Sequence, residues 1–134
     1  MSDVPAEWTF LSTGWRLALI LTGGREGASK AFRETVEEVK HHPNAGDHHR
    51  LEILFFSTLR RRCLRIPASS ELTDLPLRLH QLEEPGRSAL ALVWLNALPI
   101  NDLHRAVGVE DSILADAIEK ARAQLRPAEG TAAS

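Results

Sequence analysis

Four arginines within six positions, Arg60, Arg61, Arg62 and Arg65, follow the pair Phe55 and Phe56 in this chain of 134 residues. Guanidinium groups beside aromatic rings suit a nucleic acid, because cations hold the phosphate backbone and rings stack on bases. On a helix, positions 61 and 65 share a face and 62 lies near it. The same run also suits a solvated helix end, where cations complement the negative pole of the dipole. Both readings are open at this point. A second group, His41, His42, His48 and His49 with Asp47, brackets the turn-forming stretch from Pro43 to Gly46. Structural zinc needs four ligands at local spacing. No cysteine joins these imidazoles, and HHxxxxDHH matches no established ligand pattern, so the expectation is a solvated loop without metal. The single cysteine, Cys63, sits among the arginines, a setting that lowers a thiol pKa. No base accompanies it at helical spacing. The pair Gly23 and Gly24 lacks a preceding strand and a GxGxxG or Walker pattern, so it is expected to stop a helix rather than cradle phosphate. No catalytic arrangement emerges, and the chain is read as a non-enzyme without a cofactor.

The remaining stretch with chemistry runs from Pro99 to Leu125, PINDLHRAVGVEDSILADAIEKARAQL. It has the form of a helix-turn-helix. Ile100, Leu103 and Val107 mark a first short helix, and Gly108 stands where a tight turn needs positive φ. Glu110, Asp111 and Ser112 suit the start of a second helix, and Leu114, Ala117, Ile118, Ala121 and Leu125 recur on one face of it. Ser112, Lys120 and Arg122 are candidate contacts to DNA. Asp111, Asp116 and Glu119 oppose that use, since a carboxylate beside a phosphate is repelled and releases no counterion.

These residues must be positioned by helices, because the hydrophobic 43% of the chain falls at helical rather than alternating spacing. A helix is expected over 8–22 with Phe10, Leu11, Trp15, Leu19 and Leu21 largely to one side. A second is expected over 26–41 with Ala28, Ala31, Phe32, Thr35, Val36 and Val39 inward. A third is expected over 47–65, capped by Asp47, with Leu51, Leu54, Phe55, Thr58, Leu59 and Leu64 inward. A further helix over 87–98, with Leu90, Val93, Trp94 and Leu98, closes a core against the helix-turn-helix. The fold class is therefore all-α, divided into a three-helix bundle over 8–66, a linker over 67–74, a helix-turn-helix domain over 75–126 and an unstructured tail over 127–134. Charge divides with it. Residues 1–66 hold ten Lys and Arg against eight Asp and Glu, a net +2, and residues 67–134 hold six against ten, a net −4. A lone cysteine excludes an internal disulfide, no signal-peptide order opens the sequence, and no apolar run approaches the roughly 20 residues of a membrane span. A cytoplasmic protein without membrane contact is expected.

The run LHQLEEPGRSALALVWLNALPINDLHRAVGVEDSILADAIEKARAQLR resembles the promoter-binding domain of extracytoplasmic-function sigma factors, the small alternative specificity subunits of bacterial RNA polymerase. The matching points are Leu79 and Leu82, Pro85 and Arg87, Leu90 to Trp94, Gly108, Ala121 with Arg122, and Leu125 with Arg126. The first half is similar, more weakly, to that family's domain that grips the polymerase and melts the upstream promoter element. The resemblance implies a transcription-initiation factor with core RNA polymerase and promoter DNA as partners. It places Glu34 and Thr35 on the polymerase-binding helix and Arg60, Arg61, Arg62 and Arg65 at the upstream element.

The chain departs from the family pattern at several points. Gly27, Ser29 and Lys30 stand where acidic residues are usual, Ala115, Asp116 and Ala117 where Lys, Ser and Arg are usual, and His104 where a small residue lets two helices approach. The eight-residue linker reaches at most ~28 Å, against promoter elements more than one turn of ~34–36 Å apart. These departures support a second expectation: a sigma mimic that engages an anti-sigma-type regulator through Asp111, Asp116 and Glu119 and binds no DNA specifically.

Overall fold

A computed structural model describes residues 9–42 and 47–125, and the backbone of 128–129 and 131–132. The described core is all-α. In chain order the helices are α1 (Leu11–Thr22), α2 (Arg25–Lys40), α3 (His48–Leu64), α4 (Asp74–His80), α5 (Gly86–Trp94), α6 (Leu103–Val107) and α7 (Asp111–Leu125), with a 3-10 turn, Ile100–Asp102, leading into α6. At the C-terminal end, Ala128–Glu129 pairs with Thr131–Ala132; the rest of the expected tail lies outside the described residues.

The helix ends follow local chemistry. α1 stops at Gly23, whose φ of +84° turns the chain while its N–H donates to the Leu19 carbonyl at 2.8 Å. α3 starts at Asp47, whose carboxylate accepts the Arg50 N–H at 3.2 Å, satisfying one of the donors that a helix start leaves open. α5 ends at Trp94 rather than reaching 98, because Asn96 takes a φ of +55° and Pro99 follows shortly after.

α1, α2 and α3 form a bundle around Leu17, Val39, Leu51, Phe55, Phe56 and Leu59, all fully buried. α1 also touches α4 and α5. It is therefore packed on several sides, and Leu17, Ile20 and the expected Leu21 are its most buried large residues, whereas Leu11, Trp15 and Leu19, also expected inward, are only partly covered. On α3 the inward positions include Phe56 and Cys63, while Leu54 is only partly buried and Leu64 is exposed.

Buried residues of both halves belong to one cluster, in which Leu103, Ala106 and Val107 of the α6 region join the bundle through α3. Between the halves, residues 67–73 run along the α1–α2 turn. The Ser69 and Glu71 N–H groups donate to the Thr22 and Gly23 carbonyls at 2.9 Å each, and the Glu71 carboxylate accepts the Arg25 N–H at 3.1 Å. His80 of α4 adds a 2.7 Å contact from Nδ1 to the Ile20 carbonyl; because the carbonyl only accepts, Nδ1 carries the proton.

Candidate interaction surface

The basic run divides into inward and outward members. Arg60, only 16% exposed at its side chain, donates from Nε to Ser88 Oγ at 2.9 Å, and its terminal nitrogens reach the Val107 carbonyl at 3.0 Å and Glu84 Oε1 at 3.1 Å. Ser88 in turn donates to Glu84 Oε2 at 2.8 Å. Arg60 thus ties α3 to the start of α5 and the end of α6. Expected at a DNA contact, Arg60 has its guanidinium donors engaged by a carboxylate, a hydroxyl and a carbonyl of the fold. Arg62 forks onto Glu34 at 3.0 Å and Glu38 at 2.7 Å, so it too is paired within the fold. The hydrogen bond to Glu38 raises its already high pKa. Arg61 and Arg65 are exposed, and among the described residues Arg61 makes only a local 3.2 Å contact to the Thr58 hydroxyl.

On α2, Glu34 lies between Lys30 at 2.9 Å and Arg62, and the Lys30 hydrogen bond, ahead of the attraction of both cations, lowers its pKa. Thr35, expected at a partner-binding surface, is fully buried and donates its hydroxyl to the Ala31 carbonyl at 2.7 Å. It is a core position, since a hydroxyl bonded to a carbonyl of its own helix carries little polarity into an apolar interior.

The histidines of this group have separate neighbours among the described residues. His41 lies 3.5 Å from Glu37, His48 packs on Phe10 with ring centroids 5.8 Å apart, and His49 reaches Asp102 at 3.4 Å. Pro43 to Gly46 lie outside the described residues, and no three His, Cys, Asp or Glu side chains among those described are placed to hold a metal. The Cys63 thiol is buried, and desolvation pushes its pKa up to about 12, the reverse of what its basic neighbours in sequence imply.

α7 packs chiefly on α5. Leu114 and Ala121 are its buried residues, and Gly86 allows the approach, because a Cβ at that position would lie 3.1 Å from both the Ala117 carbonyl oxygen and Ala121 Cβ. The connection from α6 turns at Gly108, with φ +84° and its N–H on the His104 carbonyl at 2.7 Å. His104 Nδ1 lies 3.2 Å from an Asp111 carboxylate oxygen, linking α6 to the start of α7 without a well-aligned hydrogen bond.

α7 exposes Ser112, Asp116, Glu119, Lys120 and Arg122, along with most of Asp111, and Asp116 and Lys120 lie beside Glu83 to Gly86 at the start of α5. Two grooves meet at Arg122. One, of about 360 Å³, is walled by Leu75, Leu79, Leu90, Val93, Trp94 and Leu125. The other, of about 330 Å³, lies among Ile100, Leu114, Ala115 and Ile118, with Asp111 and Glu119 at its edge. Trp94 and Ile100, expected in the core, are instead 49% and 67% exposed on this side. Glu84, Ser88 and Asp102 are the polar positions that local sequence reading missed; the acidic pair before Pro85 was the one visible sign of a partner for Arg60. No protein-family model, curated protein or solved structure matches this chain. The resemblance to sigma factors therefore rests on the residues quoted for it.

Proposed function

We propose that this is a sigma-factor-like protein of bacterial transcription control that works through protein contacts, with α6, the Gly108 turn and α7 forming a helix-turn-helix used as a docking surface for an anti-sigma-type regulator. The observation that carries this reading is the distribution of charge. Arg60 and Arg62, which a sigma factor would turn toward the promoter, are bound to Glu84 and to Glu34 and Glu38 within the fold. The exposed side of α7 carries Asp111 and Glu119 beside an apolar groove with Ile100 and Ile118, and Asp116 on another side, near Glu83 and Glu84. Such a surface is repelled by phosphate and attracts a partner with apolar and cationic side chains. On this reading the protein acts in the cytoplasm as a decoy that withholds the regulator from working sigma factors. No helix among the described residues is long and apolar enough to cross a membrane.

A second reading, a DNA-binding initiation factor that engages core polymerase through α2, is favoured by a separate observation. Arg61, Arg65, Lys120 and Arg122 are exposed and have no acidic partner among the described residues. Fluorescence anisotropy of the full chain with a randomised duplex pool over a salt series separates the two. The docking reading expects only weak, non-specific binding of about 10⁻⁴ to 10⁻⁶ M at physiological salt. Enrichment of one sequence bound at nanomolar strength would establish the initiation factor instead. Retention of a small regulator rather than core polymerase from native cell extract is the companion expectation.

A further inference from the structure

The last turn of α3 presents Arg61, Leu64 and Arg65 together, all exposed, with the leucine between two cations on one face. Neither cation has an acidic partner among the described residues. The groove beside α7 presents the converse: an apolar floor of Ile100, Leu114 and Ile118, with Asp111 and Glu119 at its edge. Both surfaces are open in the same fold. We propose that a second copy of this chain is a ligand of the groove, with Leu64 entering between Ile100 and Ile118 while Arg61 and Arg65 face Asp111 and Glu119.

The argument is one of complementary charge around an apolar contact. Opposite rims steer the two surfaces together and fix their register, and the buried leucine supplies the water-excluding centre. Arg122 also lines the groove, one turn beyond Glu119 on α7, so it repels incoming arginines unless they lie toward Asp111, which sets the direction of entry. The halves of the sequence carry the same asymmetry, net +2 in residues 1–66 and net −4 in residues 67–134. The contact joins two different patches, so it is heterologous and closes into a ring or continues as a short chain. Its small size places it among weak associations, with a Kd of about 10⁻⁵ to 10⁻⁴ M. The inference rests on the two surfaces and does not require the regulator-binding function.

Sedimentation velocity of the full chain tests it. The mass is expected to rise above the monomer's 14.8 kDa with concentration, and the association to weaken several-fold between low and high salt. The double variant R61E/R65E and the double variant D111K/E119K are each expected to stay monomeric. Mixed in equal amounts they should associate again, because the unaltered knob of one then meets the unaltered groove of the other. These positions are exposed, and unchanged thermal unfolding of each variant verifies that folding is intact. A wild-type chain that stays monomeric at every concentration overturns the proposal. So do variants that associate like the wild type, or a mixture in which association does not return. None of these results bears on regulator capture, which is read separately.

Discussion

Arg60 illustrates how one side chain changes role when its surroundings are known. Four residues of context make it part of a basic run, but Glu84, Ser88 and Val107 make it a tie between distant helices. Replacing it with methionine keeps the aliphatic bulk and removes the donors, leaving Glu84 with Ser88 and the more distant Arg87, 3.8 Å away. Urea unfolding should then show a loss of about 1.5–3 kcal/mol, the range for hydrogen bonds to charged groups. The double variant R60M/E84Q should lose less than the sum of the two single changes. Strict additivity would mean that the pair does not act as a unit. Cys63 gives a second test at this scale. With its thiol pKa at about 12, against 9.0 for an unperturbed thiol, it should react negligibly with a disulfide reagent at pH 8 while folded and fully once unfolded. The sign of the linked stability follows: between pH 9 and 12 the unfolded chain loses the thiol proton first, so this group lowers stability as pH rises and has no effect below pH 9. Rapid stoichiometric labelling of the folded protein would show the thiol to be exposed.

Among the helices, α7 depends on α5. Leu114 of α7 is 4% exposed, and its truncation to alanine should cost about 2–5 kcal/mol through lost burial and the cavity left behind. A loss below half a kcal/mol would place the residue outside the core. Gly86→Leu should destabilise by about 1–3 kcal/mol through overpacking, since the added carbons meet the Ala117 carbonyl and Ala121. Helices with one buried stripe were legible from spacing: Ala28, Ala31, Thr35 and Val39 on α2, and Leu114 and Ala121 on α7, recur at helical intervals and are buried. α1 was less legible because neighbours surround it, which removes the contrast between faces that periodicity detects. Trp94 and Ile100 were misplaced for a different reason. Hydrophobicity marks a residue as suited to burial without saying whether this chain supplies the cover. Of the candidate site, the acidic character of α7 was readable from composition. The pairing of Arg60 and Arg62 was not, since their partners stand 24 to 47 residues away.

For the whole molecule, the shared core predicts joint unfolding. Far-UV circular dichroism and hydrogen exchange at Phe55 to Leu59 and Leu103 to Val107 should report one transition with one free energy, because α3 and α6 bury each other's side chains. Two resolved transitions would show that the halves are independent. The 67–73 segment lies along the α1–α2 turn through the carbonyls of Thr22 and Gly23, so the distance between the halves is set by packing and not by the reach of a flexible tether. Covalent continuity across this segment is then dispensable for assembly. Two separately encoded pieces, 1–70 and 71–134, expressed together, should find each other and reconstitute the fold, making this small chain a natural candidate for fragment complementation.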